Sequence, residues 1–512
     1  MSEQGVCMAA MMRKALREPW ILILILLVAL LVRLPCLTSR PLWYDEAFSV
    51  LFSSQGPSAM AYGTLTQEAG VAADIHPLGY YTLLWLWAKI VGTTPFAVRS
   101  LSLILGLGIV ALGYGLAREL FSERIAMLAG WVLAFSPFQV HYAQEARMYA
   151  LLALFMLGAT LAFWHALHGG SNWLWLAFSM LAAAGMYVHN LAALYLVCLA
   201  LTPLFLCRWR ALGKTVLAGL GAICLYLPWL LRLPSQVARL QWAYWIEPPR
   251  LTELVRTLLV FVSYLPLQRW LLPIVLFLGI LMVVVGCWAT LRALRTVGRS
   301  GRRAVWLVGL SGGPVLLMFL VSQWQPIYLE RAMLPAGAIF TIWLAWCLGT
   351  PVLPLPARRV AWLALGLAFV VGLFSHFSYL GFPYAPFGEV NALLREQATS
   401  GEIVLHSNKI TALPAAYDDP EIEHRYLADP QGTGSDTLAP ATQLVLGMIA
   451  DDDAAGAVGS SPGVWFVIFS REIEDYLVLG LEEHPALGWL QSEFECRDEY
   501  AFGELHVYHF IR

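Results

Sequence analysis

The chain has 512 residues, of which 59% are hydrophobic and only 13% charged, with 21 Trp. Its mean hydropathy is +0.66. Soluble domains are about 25% charged, so these values exclude a soluble globule and indicate a polytopic membrane protein.

The net charge of −2 hides an asymmetry. Residues 1–379 hold 26 Lys/Arg against 12 Asp/Glu, whereas residues 380–512 hold 6 against 22. We therefore expect two domains: a basic membrane body over 1–379 and a small, acidic, water-soluble α/β domain over 380–512. The stretch 21–32 is purely apolar and follows Arg13, Lys14 and Arg17, like a signal peptide. No small-residue cleavage site follows it, so it reads as an uncleaved first span.

Shortly beyond lies Trp43-Tyr44-Asp45-Glu46-Ala47. Two adjacent carboxylates this close to a bilayer cost free energy unless they face an aqueous cavity, and such groups commonly mark a site. The plain alternative is a wet loop with a turn-forming Asp. The segment 76–92 begins His76-Pro77 and contains Lys89. It is shorter than the ~20 residues a span needs. An amphipathic helix at the outer interface is expected there, where its Tyr and Trp rings are at home.

Further apolar runs lie near 97–117, 125–142, 149–165, 172–188, 191–207, 213–231, 270–290, 304–322, 332–349 and 360–378, giving about eleven transmembrane helices with the first. Five segments concentrate Lys/Arg: Arg13/Lys14/Arg17, Arg118/Arg124, Arg208/Arg210/Lys214, the run from Arg292 to Arg303, and Arg358/Arg359. Eleven spans put all five on one side, which the positive-inside rule makes cytoplasmic. The N-terminus is then cytoplasmic and residues 380–512 extracytoplasmic. Arg40, Arg99, Arg232, Arg239, Arg250, Arg256 and Arg269 fall on the outer side against this trend.

Three more motifs fall at predicted outer turns. In Tyr142-Ala143-Gln144-Glu145-Ala146-Arg147-Met148-Tyr149, Glu145 and Tyr149 are spaced to share a helix face, although a Glu at a helix start is also simply favoured by the dipole. His189-Asn190 offers a histidine whose plain reading is an interfacial hydrogen bond. Tyr328-Leu329-Glu330-Arg331-Ala332-Met333-Leu334-Pro335 brings in an Arg that either snorkels or binds a lipid phosphate with its planar fork.

In the tail, 403–405, 464–469 and 506–511 read as strands and 472–481 as a helix. Residues 429–463 read as a mobile loop. The run 451–453 reads as solvated surface rather than a cation site. The cysteines show no CxxC metal or redox spacing and mostly lie in or beside apolar runs, which argues against a disulfide scaffold.

Taken in order, W-Y-D-E-A, H-P-L-G-Y-Y-T-L-L-W, Y-A-Q-E-A-R-M-Y-A-L-L, a His after span five and R-A-M-L-P-A resemble the polytopic type-C glycosyltransferases of family 39, the protein mannosyltransferase and aminoarabinose transferase relatives. The resemblance covers roughly residues 20–350. It implies a polyprenyl-phosphate-linked sugar donor at the outer leaflet of the plasma (inner) membrane. It also implies inverting transfer to the hydroxyl of a lipid, glycan or protein acceptor. Asp45 matches the catalytic base of the first loop, with Glu46 as its partner. His76 and Tyr80 of the His-Pro segment, together with Glu145, Arg147, Tyr149, His189 and Arg331, are substrate-binding candidates. Members often carry R-Y-L-x-P, and this chain has R-A-M-L-P without the aromatic. No Walker or GxGxxG loop is present, as expected for a lipid donor. No cofactor or metal is required by this chemistry, and no nucleic-acid partner is expected. The alternatives are a lipid/sugar transporter or flippase, which would carry mid-bilayer charges and paired repeats, and a receptor whose acidic tail is the working part.

Overall fold

A computed structural model describes residues 19–66, 76–240, 247–429, 437–478 and 483–512. Two compact units emerge: a cut falls between Tyr379 and Leu380, and two earlier segments group with the tail. One contains Met1–Leu37, Arg99–Leu227 and Pro248–Tyr379; the other contains Thr38–Val98, Pro228–Glu247 and Leu380–Arg512. The first outer loop thus belongs with the tail.

The first unit is helical. Every one of the eleven apolar runs forms helix. Seven helices are long and apolar enough to cross a membrane: Pro95–Leu120, Tyr149–Leu167, Trp209–Leu230, Leu272–Thr296, Arg299–Val321, Glu330–Gly349 and Leu355–Ser378. An eighth arises if Glu123–Phe135 and Pro137–Ala143 count as one span bent by 60°. Pro137 causes the bend, because its ring cannot donate the helical hydrogen bond and clashes with the preceding turn. Pro19–Arg33, Asn172–Val188 and Ala192–Phe205 are apolar but short. At about 1.5 Å per residue, each spans less than the ~30 Å hydrocarbon core. The basic segment Arg13/Lys14/Arg17 lies outside the described residues. The expected outer loop over 232–269 carries helices of its own, Leu233–Leu240 and Leu251–Val262.

At the centre, all residues of Leu334–Gly349 are buried. They pack against Glu123–Phe135, Tyr149–Leu167 and Arg299–Val321. Gly286 lets Leu272–Thr296 approach closely: a Cβ there would lie 2.3 Å from the Trp343 ring. Trp343 Nε1 donates to Thr290 Oγ1 at 3.1 Å, so this large buried ring has its polar edge satisfied.

In the second unit, six strands form one sheet in the order β3-β2-β1-β4-β6-β5. They are β1 Ile403–His406, β2 His424–Leu427, β3 Ala450–Asp451, β4 Gly463–Phe469, β5 Glu495–Phe502 and β6 Leu505–Ile511. β3, β2, β1 and β4 are parallel; β6 and β5 are antiparallel. Each residue of β4 is buried, as a continuous apolar run in a covered sheet must be. Successive side chains alternate faces. Val464, Phe466 and Ile468 join Leu487 and Leu490 on one side, and Trp465, Val467 and Phe469 join Phe387, Val390 and Leu394 on the other.

Two expectations for the tail need correction. Residues 437–463 are not a loop: they form helices Pro440–Leu446 and Ala454–Val458 with β3 between them, while 430–436 lie outside the described residues. Asp451 is not merely solvated, since Arg425 Nη2 reaches its Oδ1 at 2.6 Å. Asp453 caps Ala454–Val458 by accepting from Gly456 N at 2.7 Å, which satisfies a first-turn amide. The predicted helix over 472–481 is present as Ser470–Val478; 479–482 lie outside the described residues.

Between β1 and β2, His406 Nε2 and His424 Nδ1 lie 3.0 Å apart and both rings are buried. Burial pushes His406 well down and His424 down to about 4. An unfolded His titrates near ~6.5, so below that pH the unfolded chain binds the extra protons and the fold loses stability. The contribution is complete above about pH 6.5 and fades as the pH falls toward about 4. Pulse proteolysis of the solubilised chain should show the tail losing stability between about pH 7 and pH 5, and His424→Phe should flatten that slope.

Candidate active site

The sequence-predicted residues fall into two sets, one in each unit. Asp45, Glu46, His76 and Tyr80 belong with the tail. Glu145, Arg147, Tyr149, His189 and Arg331 belong to the helical unit.

In the first set, helix Tyr44–Ser54 starts after extended Trp43 and carries Asp45 and Glu46 in its first turn, where the macrodipole favours carboxylates. Phe48 and Phe52 stack at 5.2 Å. Tyr81 meets them edge-on at 6.1 and 5.5 Å, fastening the loop helix to Gly79–Val91. This second helix is the amphipathic element expected over 76–92. It buries Tyr80, Tyr81 and Leu84 while Ile90 is exposed. His76 lies just ahead of it and is half-buried. Glu46 is 1% exposed, whereas Asp45 remains half-open, so the neighbouring carboxylates occupy different environments. Ser49 Oγ donates to Asp45 O at 2.7 Å.

In the helical unit, Glu145 and Tyr149 do not share a helix face. Residues 144–148 are an irregular break between Pro137–Ala143 and Tyr149–Leu167. Glu145 instead turns back to His141, with Oε2 3.8 Å from Nε2. Both Glu145 and Arg147 are buried, and Arg147 N donates to Glu145 O at 2.8 Å. The Tyr149 ring is a hub. Tyr142 meets it at 5.1 Å, His189 at 6.0 Å, and the Arg331 guanidinium lies over it at 5.5 Å. Arg331 sits in the 3-10 turn Glu330–Met333 that leads into the central helix. Arg256 Nε takes Glu330 Oε1 at 2.7 Å.

Hydrogen bonding fixes two imidazoles. Leu191 N donates to His189 Nδ1 at 3.2 Å, so neutral His189 carries its proton on Nε2 and can act as a donor. Gln144 Nε2 donates to Arg33 O at 2.7 Å and Pro35 O at 2.6 Å. Its Oε1 must therefore accept from His376 Nε2, 2.6 Å away. His376 also contacts the rings of His141 at 5.2 Å and Tyr264 at 4.9 Å. The site candidates drawn from sequence omit His141, Gln144, Tyr142, Tyr264 and His376. The His376 signal was a lone imidazole in the apolar run 360–378. Tyr142 and Gln144 stand in the motif 142–149 but are not singled out within it, and no local pattern marks His141 or Tyr264.

Chemically, the helical set offers a delocalised cation on a ring, two imidazoles and a buried carboxylate: groups that suit a phosphate and sugar hydroxyls. Among the described residues no three His, Cys, Asp or Glu side chains are grouped as metal ligands, and the described cysteines are free thiols.

The profile of the family described as dolichyl-phosphate-mannose-protein mannosyltransferase matches residues 75–231. No curated protein matches the chain. Among solved structures, it is similar to ArnT from Cupriavidus metallidurans bound to undecaprenyl phosphate, at 14% identity and a TM-score of 0.58, covering 95% of this chain and 97% of that one. The apo form of that ArnT matches at 13% identity and 0.57, with the same coverage. The archaeal oligosaccharyltransferase AglB from Archaeoglobus fulgidus, in complex with an inhibitory peptide and a dolichol-phosphate, matches at 13% identity and 0.57, covering 97% of this chain and 74% of that one. The chain is a multi-pass membrane protein with the fold of the type-C glycosyltransferases.

Proposed function

We propose that this type-C fold transfers a sugar from a polyprenyl-phosphate donor to an acceptor hydroxyl outside the cytoplasm, with inversion. The observation that carries the reading is the Arg331 guanidinium seated on Tyr149 beside His189. A sugar linked to phosphate already has a good leaving group. The protein has to position the reactants, hold the phosphate charge and remove one proton.

Asp45 takes the proton from the acceptor oxygen as that oxygen bonds to the anomeric carbon. The bond from that carbon to the phosphate oxygen breaks, and polyprenyl phosphate departs. A single displacement inverts the centre. Arg331, with Arg147, meets the charge on the leaving phosphate. Glu145, Tyr149, His189, His76 and Tyr80 shape the sugar and acceptor sites, and Glu46 supports Asp45. No step calls for a metal or another cofactor. The acceptor class, a lipid, glycan or protein, is read from the products. Mass spectrometry of a deletion strain tests the reaction: accumulated polyprenyl-phosphate sugar with loss of one glycoconjugate supports it, and an unchanged profile rejects it.

The charge pattern supports a cytoplasmic N-terminus and a tail outside, and the family resemblance a plasma (inner) membrane. A reporter active only in the cytoplasm should be silent when fused after Arg512. A bright signal would overturn both this orientation and the interfacial placement of Gly79–Val91.

A further inference from the structure

Open α/β sheets take their ligands in the crevice beyond the carboxyl ends of parallel strands, where the strand order reverses. In this sheet the reversal falls at β1: the chain runs outward through β2 to β3, then returns as β4 on the other side of β1. Leaving the carboxyl ends of β1 and β2 are Ser407-Asn408-Lys409 and Ala428-Asp429. Lys409 Nζ lies 3.5 Å from Asp429 Oδ2, with side chains 8% and 5% exposed. The same ammonium lies 6.0 Å from the centre of the Tyr44 ring. Helix Lys409–Asp418 packs along helix Tyr44–Ser54, which also touches Pro440–Leu446. The switch point of the tail's sheet therefore faces the chain's own first-loop helix, through the residue immediately before Asp45.

Caps are normally Ser, Thr, Asp or Asn, whose oxygens accept from first-turn amides. The residue at this position is Trp43, whose indole can only donate. At the start of the helix Tyr44 meets a buried ammonium that is paired with Asp429 and set against the ring, a contact of defined direction.

We infer that Lys409 is a positioning residue for Asp45, and that the acidic tail is a working part of the transfer site rather than an appendage. The inference rests on the proposed role of Asp45. It deepens that role by assigning the tail a job in catalysis.

The test uses the full-length protein in lipid nanodiscs, with polyprenyl phosphate as binding probe and the sugar-charged lipid as substrate. Lys409→Met should lower kcat by about 10- to 100-fold, the scale of a misplaced catalytic group, with polyprenyl phosphate affinity unchanged, while the thermal midpoint falls because the buried Asp429 carboxylate loses its ion-pair partner. Lys409→Arg, which keeps the cation and its stacking, should recover most of the loss. Tyr44→Leu should reproduce the defect without adding to it in the double variant, a coupling expected only of interacting residues. It also stands in should Lys409→Met not fold. Wild-type kcat in Lys409→Met, strict additivity with Tyr44→Leu, or no recovery in Lys409→Arg would each overturn the inference while Asp45→Asn remained inactive. An active Asp45→Asn would instead overturn the underlying role of Asp45.

Discussion

Asp45→Asn should lose sugar transfer by about two to four orders of magnitude, the usual contribution of a positioned base. The substitution keeps size and hydrogen-bonding capacity but cannot take up the acceptor's proton. Donor binding and expression should survive, because Asp45 is half-open and the helix is fastened elsewhere, through Phe48, Phe52 and Tyr81. Glu46 cannot stand in. It is the next residue on a helix, so it projects about 100° away, and it is 1% exposed. Glu46→Gln should therefore be milder in rate and felt more in stability, since it alters a buried group. A purified Asp45→Asn protein that transfers at the wild-type rate would make Asp45 structural. Glu145, buried against His141, would be the next base to test.

Arg331→Ala should weaken donor binding by roughly 2–5 kcal/mol if the phosphate contact is a desolvated charge pair. The Tyr149 ring lies beneath the guanidinium. Arg331→Lys should recover only part of the affinity, because an ammonium gives up the planar fork and the stacking. Arg147 is the second cation of this set, 3% exposed. Unchanged affinity for polyprenyl phosphate in both alanine variants, measured by titration in nanodiscs, would remove the phosphate site from this cluster.

How much of this was legible in the sequence depends on how local each signal is. Long apolar runs report burial in lipid wherever they fold, and all of those marked out became helices. β1, β4 and β6 were visible because their residues are apolar in succession or alternation. β2 is only His424–Leu427 and β3 only Ala450–Asp451, too short to establish a period. β5 faces water along much of its length, so its Glu495-Cys496-Arg497-Asp498-Glu499 start reads as a loop. The helix face assigned to Glu145 and Tyr149 failed for a different reason. Spacing supports a shared face only if the backbone is helical, and residues 144–148 are not. Charge marked the cut at residue 380 but not the two earlier segments, Thr38–Val98 and Pro228–Glu247, that group with the tail. Thr38–Val98 joins the tail because Tyr44–Ser54 and Pro57–Leu65 pack against Lys409–Asp418 and Pro440–Leu446, a long-range pairing that no sequence window contains.

That pairing also sets a clock. Tyr417 hydroxyl donates to Thr93 O at 2.6 Å across 324 residues, and Thr442 Oγ1 to Gly63 O at 3.0 Å across 379. Gly63 admits the contact because a Cβ there would already touch Phe52 at 3.0 Å and Val445 at 3.2 Å. At ribosomal speeds of about 5–20 residues per second, the loop waits on the order of tens of seconds for these partners to be made. Through that interval the nascent chain holds its membrane helices but not the scaffold under Asp45. A chain cut short before Tyr417 would therefore carry its membrane helices without either of these contacts to the first loop.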